Sequence, residues 1–295
     1  MTQIITIFGG TGFVGSKIIF KLANNSKYRI RLVTRDSKKI SIFKVLPNVD
    51  IYLFDKLSKS NFKKAISGSH VVINLMGILH EDKINKFDII HAQFPKLIQN
   101  LCIDLNVRKL IHFSALKSET RASQYLSSKN HAEINLLNRK GSLRTYVLKP
   151  SIIFGDGDNF INLFYKLIKI FPIFSIISYQ SKFQPISVDD VTEIVKLLVK
   201  KNRFQTRSFD LGGERDYSFY EILELIKKTK NINCILIKLP YFLNKIVVAM
   251  FGLMPVKIIT KDNLKSLSIP NTCSVNHAYE FLTSLKSLKE HITKL

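Results

Sequence analysis

The chain has no tryptophan, three cysteines among 295 residues, and fewer than half as many acidic as basic side chains. Cys102, Cys234 and Cys273 lie far apart without CxxC or CxxH spacing. That excludes a recognisable zinc site and fits a reducing compartment. The seven histidines show no ligand spacing either, so no metal is expected and no histidine is assigned a role. No apolar run reaches the ~20 residues of a membrane-crossing helix, and internal repeats and low-complexity stretches are absent. Because Gln3 to Phe8 already reads as a strand, the expectation is a cytoplasmic chain without a signal or transit peptide.

What is abundant is positive charge: 45 Lys+Arg against 22 Asp+Glu, a formal net charge of +23. Nucleic-acid binding would concentrate that charge in a stripe with interleaved aromatics. Here the lysines are spread along the whole chain, which argues against it. Two readings remain. The excess reflects the Lys-, Ile-, Asn- and Phe-rich composition of an AT-rich genome, or part of it forms a basic face against the anionic inner face of a membrane.

From Gln3 to Pro150 strand-like and helix-like segments alternate without a break. Apolar strands are expected at Ile4–Phe8, Arg29–Thr34, Asp50–Phe54, His70–Leu75, Lys109–Ser114 and Thr145–Lys149, and the clearest helices at Thr11–Ala23, Phe87–Leu105 and Ala122–Asn138. Strands as uniformly apolar as Val71–Leu75 suit a parallel sheet covered on both faces. Six such units describe an α/β Rossmann-type doubly wound sheet. After Pro150 the rhythm loosens. A helix is expected from Phe160 to Ile170, a strand over Phe183–Ser187, a helix from Asp189 to Lys201 and a strand over Ser208–Leu211. The next helix opens on a capping box, Ser218 to Glu221. The division is a nucleotide-binding domain over 1–155 and a smaller α/β lobe over 156–295, the two either separate or one compact unit.

The segment Gly9-Gly-Thr11-Gly12-Phe13-Val14-Gly15 joins the first strand to the first helix. Glycines there let the backbone turn tightly and approach a pyrophosphate, and the helix N-terminus offers free amides to it. The second strand ends in Thr34-Arg35-Asp36, followed by Lys38 and Lys39. An arginine at that tip pairs with a 2′-phosphate, which points to NADP(H); if Asp36 faces the ribose instead, NAD(H) is the cofactor. Further on, Tyr125 and Lys129 stand at i and i+4 on one helix face, where an ammonium lowers the phenol's pKa and makes it an acid/base.

The GxxGxxG spacing, followed by a strand ending in Ser114 and then Tyr125-x-x-x-Lys129, resembles the extended and atypical short-chain dehydrogenases/reductases of the NAD-dependent epimerase/dehydratase type. That resemblance implies further roles. Asp55 would bond the adenine amino group, or is simply a turn residue. Asn74-Leu-Met-Gly77 would pass beneath the cofactor ribose, and Ser114, Tyr125 and Lys129 would form a Ser–Tyr–Lys set, with Ser114 holding a substrate carbonyl. Lys149-Pro150-Ser151 would close over the nicotinamide. Gln184–Val191 would begin the substrate lobe, although Asp189 and Asp190 read more simply as helix N-caps.

Val71–Gly77, Leu110–Ala115, Tyr125–Lys129, Leu148–Gly155, Gln184–Val191 and Ile259–Lys265 together resemble the NADPH-binding alpha-subcomplex subunit nine group of respiratory complex I and its bacterial counterparts. This implies a protein that holds NADPH without turning it over, partnered by complex I subunits or linked to ubiquinone metabolism. The alternative is an active NADP-dependent oxidoreductase or epimerase on a small apolar substrate. Phe160–Tyr179 and Pro240–Pro255 are nearly uncharged apolar stretches with basic residues nearby, either buried in their own lobe or laid on a membrane or partner.

Overall fold

The computed structural model describes residues 2–54, 56, 58–82, 84–139, 141–176, 178–201, 204–239 and 269–295. Asp55, the Pro240–Pro255 stretch and Ile259–Lys265 lie outside the described residues.

Six strands form in the order the apolar runs predict: β1 (Gln3–Phe8), β2 (Tyr28–Thr34), β3 (Val49–Leu53), β4 (Val71–Asn74), β5 (Lys109–Phe113) and β6 (Arg144–Pro150). They pair in parallel. After the two-residue strands β7 (Ile153–Phe154), β9 (Lys182–Phe183) and β10 (Ile186–Ser187), and the four-residue β8 (Ile173–Ile176), comes β11 (Arg207–Leu211). It joins the main sheet, whose order is β3-β2-β1-β4-β5-β6-β11. The order reverses between β1 and β4, and in such sheets the crevice at that reversal, beyond the carboxyl ends of the strands, takes the ligand. The helices among these strands are α1 (Phe13–Ala23), α2 (Lys59–Ile66), α3 (Phe94–Asp104), α4 (Gln124–Leu137), α5 (Ile161–Ile170) and α6 (Val188–Lys200).

The chain divides into two compact units that interleave along the sequence. The first comprises Met1–Ser114, Ser128–Lys149 and Val191–Phe209; the second comprises Ala115–Ser127, Pro150–Asp190 and Asp210–Leu295. The first unit thus reaches well past residue 155 to take in most of α6. A buried lysine shows why. Lys109 Nζ, at the start of β5, donates to the carbonyls of Leu198, Val199 and Lys201 at 2.8, 2.7 and 2.9 Å. These are the orphan acceptors at the C-terminal end of α6, where a cation also meets the negative pole of the helix dipole. The core on one face of this unit holds an aromatic triangle of Phe8, Phe62 and Phe94, with edge-to-face ring separations of 5.2–5.7 Å.

The second unit has a core of its own around Phe160, Phe164, Phe183 and Phe219. It adds β12 (Tyr217–Ser218), α7 (Phe219–Thr229), β13 (Ile235–Lys238) and α8 (Leu288–Lys294). The capping box opens α7 as expected, Ser218 Oγ accepting from Glu221 N and the Glu221 carboxylate accepting from Ser218 N.

Three expectations change. The single strand over Phe183–Ser187 is two short ones, parted at Gln184-Pro185 because proline lacks the amide a ladder needs. At the start of α6 it is Ser187 whose Oγ accepts from Asp189 N at 3.2 Å, and the carboxylates of Asp189 and Asp190 bond to Lys286. The long helix expected over Phe87–Leu105 is a π-helical turn, Asp88–Gln93, running into α3. Widened turns of this kind are rare and cluster at functional sites.

Candidate nucleotide-binding site

At the β1–α1 turn the backbone comes very close to itself. Gly9 has φ +75°, and a Cβ there would lie 2.9 Å from the Leu75 carbonyl carbon. A Cβ on Gly15 would lie 2.5 Å from the Gly9 oxygen and 2.6 Å from the Gly10 Cα. Any side chain at either position would push the turn open. Gly12 is the N-cap of α1, and no side chain caps the amides of the first turn that begins with Phe13 and Val14. Uncapped first-turn amides at a positive helix end are the arrangement that binds phosphate.

The turn opens onto a cavity of about 550 Å³, lined among others by Gly9, Thr11, Arg35, Asp36, Lys38 and Met76. Three loops therefore meet there: the glycine turn, the tip of β2 and the segment after β4. The donor set fits a dinucleotide, with bare amides for the diphosphate and cations at the adenosine end. At the β2 tip Asp36 is already engaged. Its Oδ1 accepts from Lys38 N at 3.0 Å and its Oδ2 lies 3.5 Å from Lys39 Nζ. Arg35 is exposed, and among the described residues no carboxylate pairs with it.

The segment after β4 leads to a second, buried cluster. Asn74 Oδ1 accepts from Met76 N at 3.0 Å, so the amide nitrogen of Asn74 is the donor to His112 Nδ1 at 3.1 Å. That leaves the proton on His112 Nε2, a buried nitrogen with no hydrogen-bond partner among the described residues. Ser114 Oγ is likewise buried and unpartnered. Lys129, on α4, is 4% exposed and donates through Nζ to the Phe113 carbonyl at 3.0 Å. A Cβ on Gly77 would stand 3.3 Å from that Nζ, so the backbone after β4 runs directly against the lysine. Burial lowers Lys129 to about pKa 8. It and the neighbouring ammonium hold His112 well below its ordinary value.

Tyr125 occupies the same helix one turn before Lys129. The expected lowering of its phenol is not what the structure has: burial pushes Tyr125 up to about 12. Lys149 is almost fully buried and its Nζ lies 3.4 Å from Glu133 Oε1, while Pro150 ends β6. The residues thus brought to one cavity or its wall are Gly9, Thr11, Arg35 and the Asn74–Gly77 segment, with Lys129 behind it.

One participant escaped the sequence reading. His91, fully buried in the π-helical turn, accepts from Ile78 N at 2.9 Å through Nε2 and lies 2.9 Å from Ser128 Oγ through Nδ1. Nothing in the spacing of the histidines signals it, because the widened turn that aims it inward has no local sequence mark. Among the described residues no group of side chains could hold a metal ion, and no helix is long and apolar enough to cross a membrane.

Comparison with known proteins agrees with this geometry. Residues 9–149 match a family model described as NAD(P)H-binding. The chain is 28% identical over 227 residues to the mitochondrial NADH dehydrogenase [ubiquinone] 1 alpha subcomplex subunit 9 of Dictyostelium discoideum, an alignment covering 76% of this chain and 63% of that protein. It is 26% identical over 273 residues to the mouse protein of the same name, covering 90% of this chain and 72% of that one. The chain thus spans under two thirds of the Dictyostelium relative. Among solved structures, an NADPH-dependent quinone oxidoreductase of Escherichia coli, complexed with NADPH, superposes with a TM-score of 0.79 at 12% identity, covering 98% of this chain and 99% of that one. A UDP-glucuronic acid 4-epimerase of Bacillus cereus, in complex with NAD, gives 0.76 at 14% identity, covering 98% and 96%. At such identities the likeness is one of fold. Residues 9–149 thus match an NAD(P)H-binding family model on a Rossmann-type fold, and the chain as a whole is similar in sequence to the alpha-subcomplex subunit nine proteins.

Proposed function

We propose that this protein binds NADPH and holds it as a structural cofactor, acting as a peripheral accessory factor of respiratory complex I or of ubiquinone metabolism. The observation that carries this reading is the division of labour at the β2 tip. Asp36 spends its carboxylate on the following turn and on Lys39, while the exposed Arg35 guanidinium beside the cavity has no carboxylate partner among the described residues. A free guanidinium suits a 2′-phosphate, which it binds through paired charge-assisted hydrogen bonds.

The residues divide the work. The first-turn amides of α1 receive the diphosphate, Arg35 with Lys38 the adenosine phosphate, and the Asn74–Gly77 backbone and Lys129 the nicotinamide ribose. When bound, NADPH supplies a hydride donor. Burial pushes the Tyr125 hydroxyl up to about 12, which disfavours its phenolate. The related subunit-nine proteins support the link to complex I. The net charge of +23 and the exposed apolar side chains Ile170, Ile173, Ile235 and Ile237 support a membrane-facing role.

A second reading is favoured by one atom. Ser114 Oγ, buried and unpartnered, is a hydroxyl held in reserve, as a substrate carbonyl would require. In that case the protein is an active NADP-dependent oxidoreductase on an apolar substrate, using Ser114, Tyr125 and Lys129.

Calorimetric titration with NADPH and NADH separates these statements. NADPH is expected to bind more tightly, and Arg35→Ala to weaken NADPH by about tenfold to a hundredfold while leaving NADH nearly unchanged, the size of a lost charged hydrogen bond. Equal loss for both nucleotides would remove the 2′-phosphate assignment. Oxidation of bound NADPH by quinones or apolar carbonyls, lost in Tyr125→Phe, would favour the enzyme. Pelleting with anionic vesicles tests the membrane role; indifference to lipid charge would discard it.

A further inference from the structure

The segment after β4 is the wall that runs from the glycine turn to the buried lysine. At one end its backbone abuts Gly9, through Leu75 and Met76; at the other Gly77 rests against Lys129 Nζ. A short segment in that place needs something to fix its path, and one side chain grips it from behind. His91 Nε2 accepts the Ile78 amide at 2.9 Å. An accepting Nε2 carries no proton, so the ring's hydrogen is on Nδ1 and is donated to Ser128 Oγ, 2.9 Å away. Ser128 immediately precedes Lys129 on α4. One neutral ring therefore ties the loop to the helix at the point where Gly77 meets Lys129, and a Cβ on Gly77 would lie 3.5 Å from the same Nε2.

The ring is itself held. It is fully buried, stacks on Phe87 at 5.3 Å with 22° between planes, and projects from the π-helical turn Asp88–Gln93. Burial, reinforced by the adjacent Lys129, lowers its pKa to about 2, so the ring stays neutral, as an accepting Nε2 requires.

We infer that His91 is a positioning residue for the nicotinamide half of the nucleotide: by clamping Ile78 N to Ser128 Oγ it sets the Gly77–Lys129 contact on which the nicotinamide ribose rests. The inference depends on the reading of the cavity as an NADPH site, and it goes further by dividing that site into two halves with different supports. The adenosine half, built on Gly9, Thr11 and Arg35, does not depend on His91.

The test uses two probes, NADPH and 2′,5′-ADP, which keeps the adenosine phosphates but lacks the nicotinamide riboside. In calorimetric titrations His91→Phe, which preserves the stack on Phe87 but has no nitrogen, should weaken NADPH by about tenfold and 2′,5′-ADP by less than twofold, in line with the loss of one or two buried hydrogen bonds. His91→Gln, whose side-chain oxygen can accept from Ile78 N, should recover most of the loss. The fluorescence of NADPH bound to His91→Phe should shift toward that of the free nucleotide. Equal weakening of both probes would show a merely structural histidine and overturn the inference, as would unchanged NADPH affinity in His91→Phe. Should His91→Phe not fold, Ser128→Ala, which removes the hydroxyl at the Nδ1 end and leaves the Nε2 bond to Ile78 N in place, carries the same test with a few-fold loss confined to NADPH. A wild-type protein that binds neither probe overturns the nucleotide reading itself. One that binds 2′,5′-ADP and NADPH equally overturns only the nicotinamide half.

Discussion

The two ends of the cavity wall are built on opposite principles. The glycine turn and the β2 tip are open, with bare amides, an exposed guanidinium and exposed lysines, and depend on what is missing: no Cβ at Gly9 or Gly15 and, among the described residues, no carboxylate on Arg35. The Lys129 end is closed, and depends on what is present: Asn74, His112, His91 and Ser128 hydrogen-bonded in a buried polar cluster around an ammonium. An open end made of backbone and long cations suits a highly charged ligand that brings its own solvation problem. A closed end, where each polar atom is desolvated, places groups accurately but tolerates little change, since an unsatisfied buried group costs about 1–3 kcal/mol. The difference teaches that affinity and placement reside at different ends of the same wall.

The sharpest way to break this comparison is to fill the open end. In Gly15→Val the new side chain would meet the Gly9 oxygen and Gly10 Cα, so the turn must open. NADPH affinity should fall by roughly a hundredfold or more, from the loss of several amide bonds at about 1 kcal/mol each. Thermal melting with and without nucleotide checks it: the variant should lose the NADPH-dependent rise in Tm that wild type shows by mass action. A retained rise would mean the turn does not hold the diphosphate.

The next effect lies at the closed end and has the opposite sign for stability. Lys129 has a folded pKa of about 8 against an ordinary 10.5, so at pH 7 the fold carries the cost of a buried ammonium. Between about pH 8 and 10.5 the unfolded chain binds the extra proton, and stability should rise with pH there. Lys129→Met, similar in length and uncharged, should therefore be more stable than wild type at pH 7, by up to about 3 kcal/mol. The advantage should vanish as pH climbs through that window. Urea melts at pH 7 and pH 10 measure this, and NADPH titration should show weakened binding in the same variant. A variant less stable than wild type at pH 7 would mean that the bond to Phe113 O outweighs the desolvation of the ammonium.

The smallest effect sharpens the open end. Asp36→Ser keeps an oxygen to accept from Lys38 N, so the turn over Ser37–Lys39 stays capped, but removes a negative charge beside Arg35. NADPH affinity should rise a few-fold, and the gain should shrink in high salt, as expected of partly exposed charges. Titrations at two ionic strengths would decide it. A loss of affinity would place the carboxylate on the ribose and favour NAD(H).

Much of the open end was readable because it is local. Gly9, Thr11, Gly12 and Gly15 lie within seven residues between a strand and a helix, and the backbone they require is dictated by chain geometry alone. The alternation of apolar runs likewise determined the six parallel strands, because a strand covered on both faces must be apolar throughout. The spacing of Tyr125 and Lys129 places both on one helix face but says nothing of burial, which drives the phenol the other way.

What the amino-acid order determined by itself is thus the sheet, the glycine turn and the charged tip of β2, since each follows from contacts a few residues apart. Only the tertiary structure decided the tie of Lys109 to the end of α6 within the first unit, the engagement of Asp36, and the bonds of His91 to Ile78 and Ser128. The long-range members of that set join residues brought together by sheet closure, and Asp36 depends on which way one side chain turns. A one-dimensional pattern carries neither kind of information, because hydrogen-bond direction and burial exist only once the chain has packed.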